Sequence, residues 1–305
     1  MNENTKGIML VCLGTTLFSS KSILIQWAFN AGASVDQLML IRMLIALPFY
    51  CLAGLWAWKK LEHKPPFHAL VLMALPGFAC YHIASYLDMW ALQFLTAGLE
   101  RIVLFSYPIM VVLIQAFLGH SIHRLQWLGL AVAYLGVLLF FRQDVQLYQS
   151  TSLLAVVAVF LAAVLTAYYV LASQKYGRQF SSDFFTAVAM GVTGLTIPSH
   201  FVAMNGFNIS GIGLDIWAYG AFLSIVLTVF ASFVLNRGIA LAGAQKGSVA
   251  GMLGPMMTLM MAAWVLNQPF TAMHGVAVAV TVVGVGLVTQ SNKLRRWFNS
   301  RRVLA

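Results

Sequence analysis

Ten predominantly apolar stretches follow one another along the chain, separated by short polar intervals. They fall at 7–28, 36–58, 67–90, 98–118, 124–141, 151–173, 182–204, 214–235, 246–266 and 272–290. A helix rises about 1.5 Å per residue, so roughly 20 mostly apolar residues cross the hydrocarbon core of a bilayer. None of the intervals is long enough to fold as a separate soluble domain. The expected fold is an all-α integral membrane protein with ten transmembrane helices.

The second half of this pattern repeats the first, 147 residues further on. Ser34 and Asp36 recur as Ser181 and Asp183, and Pro108 recurs as Pro255. After the prolines the register slips by one, so that Leu118 matches Leu266, Gly136 matches Gly284 and Val137 matches Val285. Each copy holds five spans. With an odd number, the second copy must enter the bilayer from the opposite side. The pattern therefore predicts two inverted five-helix repeats, 7–141 and 151–290, followed by a basic cytoplasmic tail, 291–305. Such repeats are common in secondary transporters, where a substrate site lies between the halves. The polar stretch 142–150, with Arg142, Gln143 and Asp144, reads as a solvated linker between the copies.

Composition supports lipid as the solvent. The chain of 305 residues is 61% hydrophobic and 9% charged, with a mean hydropathy of +0.85, far from the balance of a soluble domain. The net charge of +10 raises the possibility of nucleic acid, but its distribution argues against it. Fourteen of the 18 Lys and Arg residues fall on one side of the predicted spans, which places both termini in the cytoplasm. The tail then reads as an inner-leaflet anchor rather than a nucleic-acid patch. Trp27, Trp56, Trp58, Trp90, Trp127, Trp217 and Trp264 lie near span ends, where an amphipathic indole prefers to sit. The first span reads as retained rather than as a cleaved signal. Cys12, Cys51 and Cys80 occupy separate spans without ligand spacing, so neither a disulfide framework nor a metal site is expected, and no cofactor is called for.

The block from Ala91-Leu92 through Ala97-Gly98 to Pro108, followed by Gln126-Trp127-Leu128-Gly129 and Gly136-Val137, resembles the EamA module of the drug/metabolite transporter superfamily. The second copy, from Ile239-Ala240 through Gly243-Ala244 to Pro255 and Gly284, resembles it again. The resemblance covers nearly the whole chain and implies a ten-helix permease of two EamA modules. It also implies a small organic substrate, movement that is often export, and a bacterial inner membrane. The family commonly has an acidic residue after glycine in the loops following the fourth and ninth spans. Here those places read Gly119-His120 and Asn267-Gln268, so no role of that acid carries over.

Charged side chains inside a bilayer are costly, and they default to a functional hypothesis. Lys21, Arg42, Asp88, Glu100 and Arg101 gather in the outer half of the first repeat, with Asp36 at its boundary. They are expected either to lock four helix ends together as ion pairs or to form an outer gate in which Asp88 or Glu100 exchanges a proton. Glu100 and Arg101 are adjacent, about 100° apart on a helix, and so are expected to need partners on other helices. His82 and Tyr107 are further candidates for the substrate pathway. Pro108 and Pro255 lie mid-span and are expected to kink their helices. Gly247 and Gly251 form a GxxxG pair suited to close helix approach.

The chain contains no GxxxxGK[ST], HExxH or GxSxG, which argues against ATP-driven transport and against common hydrolases. The expected function is secondary transport of small organic metabolites by alternating access, with protons as a candidate coupling ion and no catalytic residues. A facilitative channel or lipid flippase is the alternative, and a membrane-embedded enzyme is a weaker one. Substrate identity and oligomeric state are not legible.

Overall fold

The structure, a computed structural model, describes residues 3–119, 124–147, 152–206, 209, 212–242 and 254–303. Among the described residues, seven helices are long and apolar enough to cross a membrane. They are α1 (Glu3–Asn30), α2 (Val35–Lys60), α3 (Phe67–Ala91), α4 (Ala97–Phe117), α5 (Arg124–Leu147), α6 (Leu153–Gln179) and α7 (Ser182–Asn205). Three more helices carry shorter apolar segments. These are α8 (Leu214–Phe230, running on through Ala231–Ala242), α9 (Gly254–Val265) and α10 (Ala272–Val303). The ninth predicted span is described only from Gly254; Lys246, Gly247 and Gly251 lie outside the described residues, as does His120.

Two boundaries differ from the sequence expectation. Helix α5 continues to Leu147 and takes in Arg142, Gln143 and Asp144, which polarity alone had assigned to a linker. No glycine or proline interrupts that stretch, and Asp144 is buried rather than solvated. Helix α10 continues unbroken to Val303, so the basic stretch is helical as far as that residue.

Local signals recur at the repeat interval. Ser34 caps α2, its hydroxyl accepting from the Gln37 N–H in a capping box. Ser181 caps α7 in the same way, accepting from the Phe184 N–H, as short hydroxyl side chains do at orphan helical N–H groups. A π-helical segment widens α3 at Phe78–Ala84, and another widens α8 at Ile225–Phe230, starting 147 residues later. Such segments expose backbone carbonyls and are frequent at functional sites. Where α4 and α9 end, Gly119 and Asn267 both take positive φ, +90° and +52°. Glycine and asparagine are the residues that tolerate this conformation.

The helix pairings follow the same relation. Helix α2 packs on α7, and α5 packs along α10. Helix α1 packs on α8, as α3 does on α6; α3 also meets α7, as α8 meets α2. A buried core of Ile25, Leu38, Met39, Ile41, Met43, Met89, Met190 and Leu223 joins α1, α2, α3, α7 and α8. Phe117, Leu214 and Trp264 are more than four-fifths exposed, as lipid-facing side chains of a multi-pass membrane protein should be. Trp27, Trp56, Trp58 and Trp127 are also exposed, near helix ends.

The α5–α10 contact depends on two glycines related by the repeat. A Cβ on Gly136 would overlap Thr281 and the Ala277 carbonyl, and one on Gly284 would overlap the Ala133 backbone. Close backbone approach of this kind is how helices pack in lipid. Gly284→Ala is expected to lower stability by about 1–3 kcal/mol through overpacking, read as a lower unfolding temperature of the purified protein. An unchanged unfolding temperature would mean that this crossing adjusts freely.

Candidate functional site

Four helices bring five ionisable side chains together. Helix α1 supplies Lys21 and the neighbouring Ser22, α2 supplies Arg42, α3 supplies Asp88, and α4 supplies Glu100 and Arg101. Arg42, Asp88 and Glu100 are at most 4% exposed. Lys21 Nζ stands 3.4 Å from Asp88 Oδ2. Ser22 Oγ donates to Glu100 Oε2 at 2.6 Å, and Arg101 Nη2 donates to Ser22 Oγ at 2.5 Å. Arg101 Nε lies 3.8 Å from Glu100 Oε2. The partner on another helix that Glu100 and Arg101 were expected to need is Ser22 of α1. Both side chains curl toward α1, and the Ser22 hydroxyl stands between them.

Asp88 and Glu100 enter this cluster from different helices, Asp88 against Lys21 and Glu100 against Ser22. One oxygen of each, Asp88 Oδ1 and Glu100 Oε1, is buried without a hydrogen-bond partner. Two carboxylates have no proton to share; one carboxyl and one carboxylate have one. Among the described residues, Arg42 donates two hydrogen bonds, both from Nη2, to Met39 Sδ at 3.2 Å and to the Tyr81 carbonyl at 3.4 Å. That carbonyl belongs to the π-helical segment of α3. The backbone carbonyl of Arg42 itself is tied to α8 by Ser224 Oγ at 2.8 Å.

The other candidates lie elsewhere. Asp36 is not part of the cluster; it accepts from Tyr86 Oη at 2.7 Å and from Asn205 Nδ2 at 3.2 Å. His82 sits in the π segment and reaches α7, with Nδ1 2.9 Å from Thr196 Oγ1 and Nε2 3.2 Å from His200 Nδ1. Tyr107 packs edge-on against Phe105. Helix α4 is interrupted at Phe105 and Ser106, and Pro108 stands at the start of its second segment, Tyr107–Phe117. Pro255 stands at the start of the described part of α9.

A second buried polar centre escaped the sequence reading. Asp144 on α5 and His274 on α10 are 2% and 1% exposed. Thr96 Oγ1, just before α4, donates to Asp144 Oδ2 at 2.5 Å, and His274 Nε2 lies 3.2 Å from Asp144 Oδ1. The Thr271 backbone N–H donates to His274 Nδ1, so the ring proton resides on Nε2 and is given to Asp144. Ser22 was missed too. Its signal is the stripe of Thr15, Ser19, Ser22 and Gln26, which recurs at helical spacing on one face of α1. Ser19 bonds the Gly254 carbonyl and Gln26 bonds the Leu95 carbonyl, so this face carries polar contacts to α9 and to the α3–α4 turn.

A bundle of long apolar helices enclosing a cluster of charges is that of a multi-pass membrane protein. The chain belongs to the EamA-like transporter family, whose model matches residues 5–142 and again 153–290. It is similar to the protein named "Uncharacterized transporter YcbK" of Bacillus subtilis, at 28% identity over 88% of each chain. It is also similar to "Uncharacterized transporter sll1319" of Synechocystis, at 22% identity over 95% of this chain and 93% of that one. An "Uncharacterized transporter" of Archaeoglobus fulgidus is 26% identical over 94% of this chain and 98% of its own. A solved crystal structure 16% identical in sequence covers 94% of this chain and 98% of its own, with a TM-score of 0.62. That likeness supports the fold.

Proposed function

We propose that this membrane transporter is an alternating-access secondary carrier of small organic metabolites, coupled to protons through the Asp88–Glu100 carboxyl pair. The carrying observation is that pair: two buried carboxyl groups from different helices, each with an unpartnered oxygen, held among Lys21, Ser22 and Arg101. One shared proton satisfies both orphan oxygens, and its loss leaves two like charges in one buried cluster. A carrier can use such a difference to favour one packing of its helices over another.

The reading takes the two halves as inverted five-helix repeats in ten crossings, with 291–305 as the cytoplasmic tail. The recurrent caps, π segments and reciprocal helix pairings support it. In this reading both termini are cytoplasmic, the membrane is a bacterial inner membrane, and the direction is export, as the family resemblance implies. The charged cluster then closes the outer ends of α1–α4. A cavity between Trp56, Lys60, His63, Phe180 and Asp183 lies at the opposite ends of the helices.

The test is movement of a mixed metabolite pool from proteoliposomes, profiled by mass spectrometry with and without a proton gradient. Gradient-stimulated movement of a defined solute is the expected result. Movement indifferent to the gradient would remove the proton from the proposal, and conductive leakage of many solutes would favour a channel.

A further inference from the structure

The charge count of the cluster does not close. With Asp36 held by Tyr86 and Asn205, three cations, Lys21, Arg42 and Arg101, face two carboxylates, Asp88 and Glu100. Lys21 is paired with Asp88, and Arg101 with Glu100 across Ser22. Arg42 is the surplus. Its guanidinium has five donor hydrogens. They meet one thioether and one distant carbonyl, both through Nη2, and Nε has no partner among the described residues.

An ion 98% buried with so little compensation is not explained by stability, because replacing such a group by an apolar side chain of similar size is commonly neutral or stabilising. Its surroundings hold it ready. Ser224 fixes its backbone from α8, and the π turn of α3 offers it the carbonyl of Tyr81. Tyr81 in turn meets Tyr169 of α6 edge-on, with ring centroids 5.0 Å apart.

We propose that Arg42 receives the carboxylate of the transported solute, which makes the substrate class an organic anion with one carboxylate to offer. The inference rests on the transporter reading and deepens it. A planar guanidinium fork matches the two oxygens of a carboxylate, which a spherical inorganic anion does not. The neighbouring tyrosine rings supply apolar faces for an organic body. Once the Asp88–Glu100 pair has given up its proton, the cluster with the solute in place is neutral, three cations against three carboxylates. That neutrality favours the helix motions that close over a loaded site.

The experiment compares wild type with Arg42→Met in proteoliposomes loaded with equal amounts of carboxylate, amine and uncharged metabolites. Carboxylates should leave wild-type vesicles preferentially, and their flux should fall about tenfold or more in the variant, the loss expected for a charge-assisted hydrogen bond. Amines or uncharged solutes leaving equally fast would overturn the inference while sparing the transporter reading. Undiminished carboxylate flux through Arg42→Met would overturn it too.

If nothing leaves wild-type vesicles, the transporter reading itself fails. The anion site is then judged by thermal unfolding of the purified protein with sodium benzoate, sodium acetate, sodium chloride or benzamide. Stabilisation of wild type by benzoate or acetate, absent in Arg42→Met, upholds the site. Equal shifts with chloride, or no shift with either carboxylate, overturn it. Without ligand, Arg42→Met should unfold at the wild-type temperature or above; a clear drop would make Arg42 a packing residue and sink the proposal.

Discussion

Glu100→Gln is expected to fold and insert normally and to lose at least about nine-tenths of its gradient-stimulated transport, the tenfold scale typical of a proton-transfer group removed from its step. Normal folding follows from the contacts. The amide oxygen of a glutamine accepts the Ser22 hydroxyl as Glu100 Oε2 does, and its amide hydrogens can reach Asp88. The substitution freezes the pair in the hydrogen-bonded arrangement that the protonated state would have. It removes only the ability to release that proton.

Two controls separate a proton carrier from a structural bridge. Downhill exchange of labelled solute without a gradient should persist in Glu100→Gln, because a locked protonated pair still permits rocking. Glu100→Asp should restore part of the coupled flux, since it returns a titratable carboxyl at shorter reach. If Glu100→Gln transports within twofold of wild type under a gradient, the carboxyl pair carries no proton. Coupling would then have to be sought at the His82–His200 pair between α3 and α7.

Much of this arrangement was legible before any coordinates, for reasons that can be stated residue by residue. Apolar runs in lipid have few alternatives to helices, because every backbone group must be satisfied internally. Lys21, Arg42, Asp88, Glu100 and Arg101 stood out because charge in such runs is rare. What their sequence positions could not carry was partner choice. Asp36 lies at the same outer boundary, yet Tyr86 and Asn205 claim it. Ser22 is indistinguishable by composition from the serines around it, and only its position between Glu100 and Arg101 makes it a bridge. Asp144 was misread because Arg142 and Gln143 precede it and suggest solvent. Its true partner, His274, lies 130 residues away on a helix whose pairing with α5 emerges only in three dimensions.

That misread residue yields the largest expected loss of stability. Asp144→Ala is expected to destabilise the protein by about 2–5 kcal/mol, the cost of leaving two hydrogen-bond donors without their acceptor. Two donors lose their acceptor at once, Thr96 Oγ1 and His274 Nε2, and His274 is 1% exposed. The centre joins the N-terminal ends of α4 and α10 to the C-terminal end of α5. Thr96 also caps α4, accepting from the Leu99 N–H, so the strain reaches the helix that carries Glu100 and Arg101. Asp144→Asn should cost far less, about 1 kcal/mol, because its amide oxygen still accepts from His274 and its amide group can donate to the threonine hydroxyl. Thermal unfolding of the two variants in detergent, followed by tryptophan fluorescence, reads the difference. Should Asp144→Ala unfold at the wild-type temperature while transport fails, Asp144 would belong to the translocation machinery, and these ends of α5 and α10 would have to be mobile parts of the cycle. A steep fall for Ala with near-complete rescue by Asn would instead make this centre a fixed clamp on α4, α5 and α10, against which Lys21, Arg42 and Asp88 on α1, α2 and α3 move.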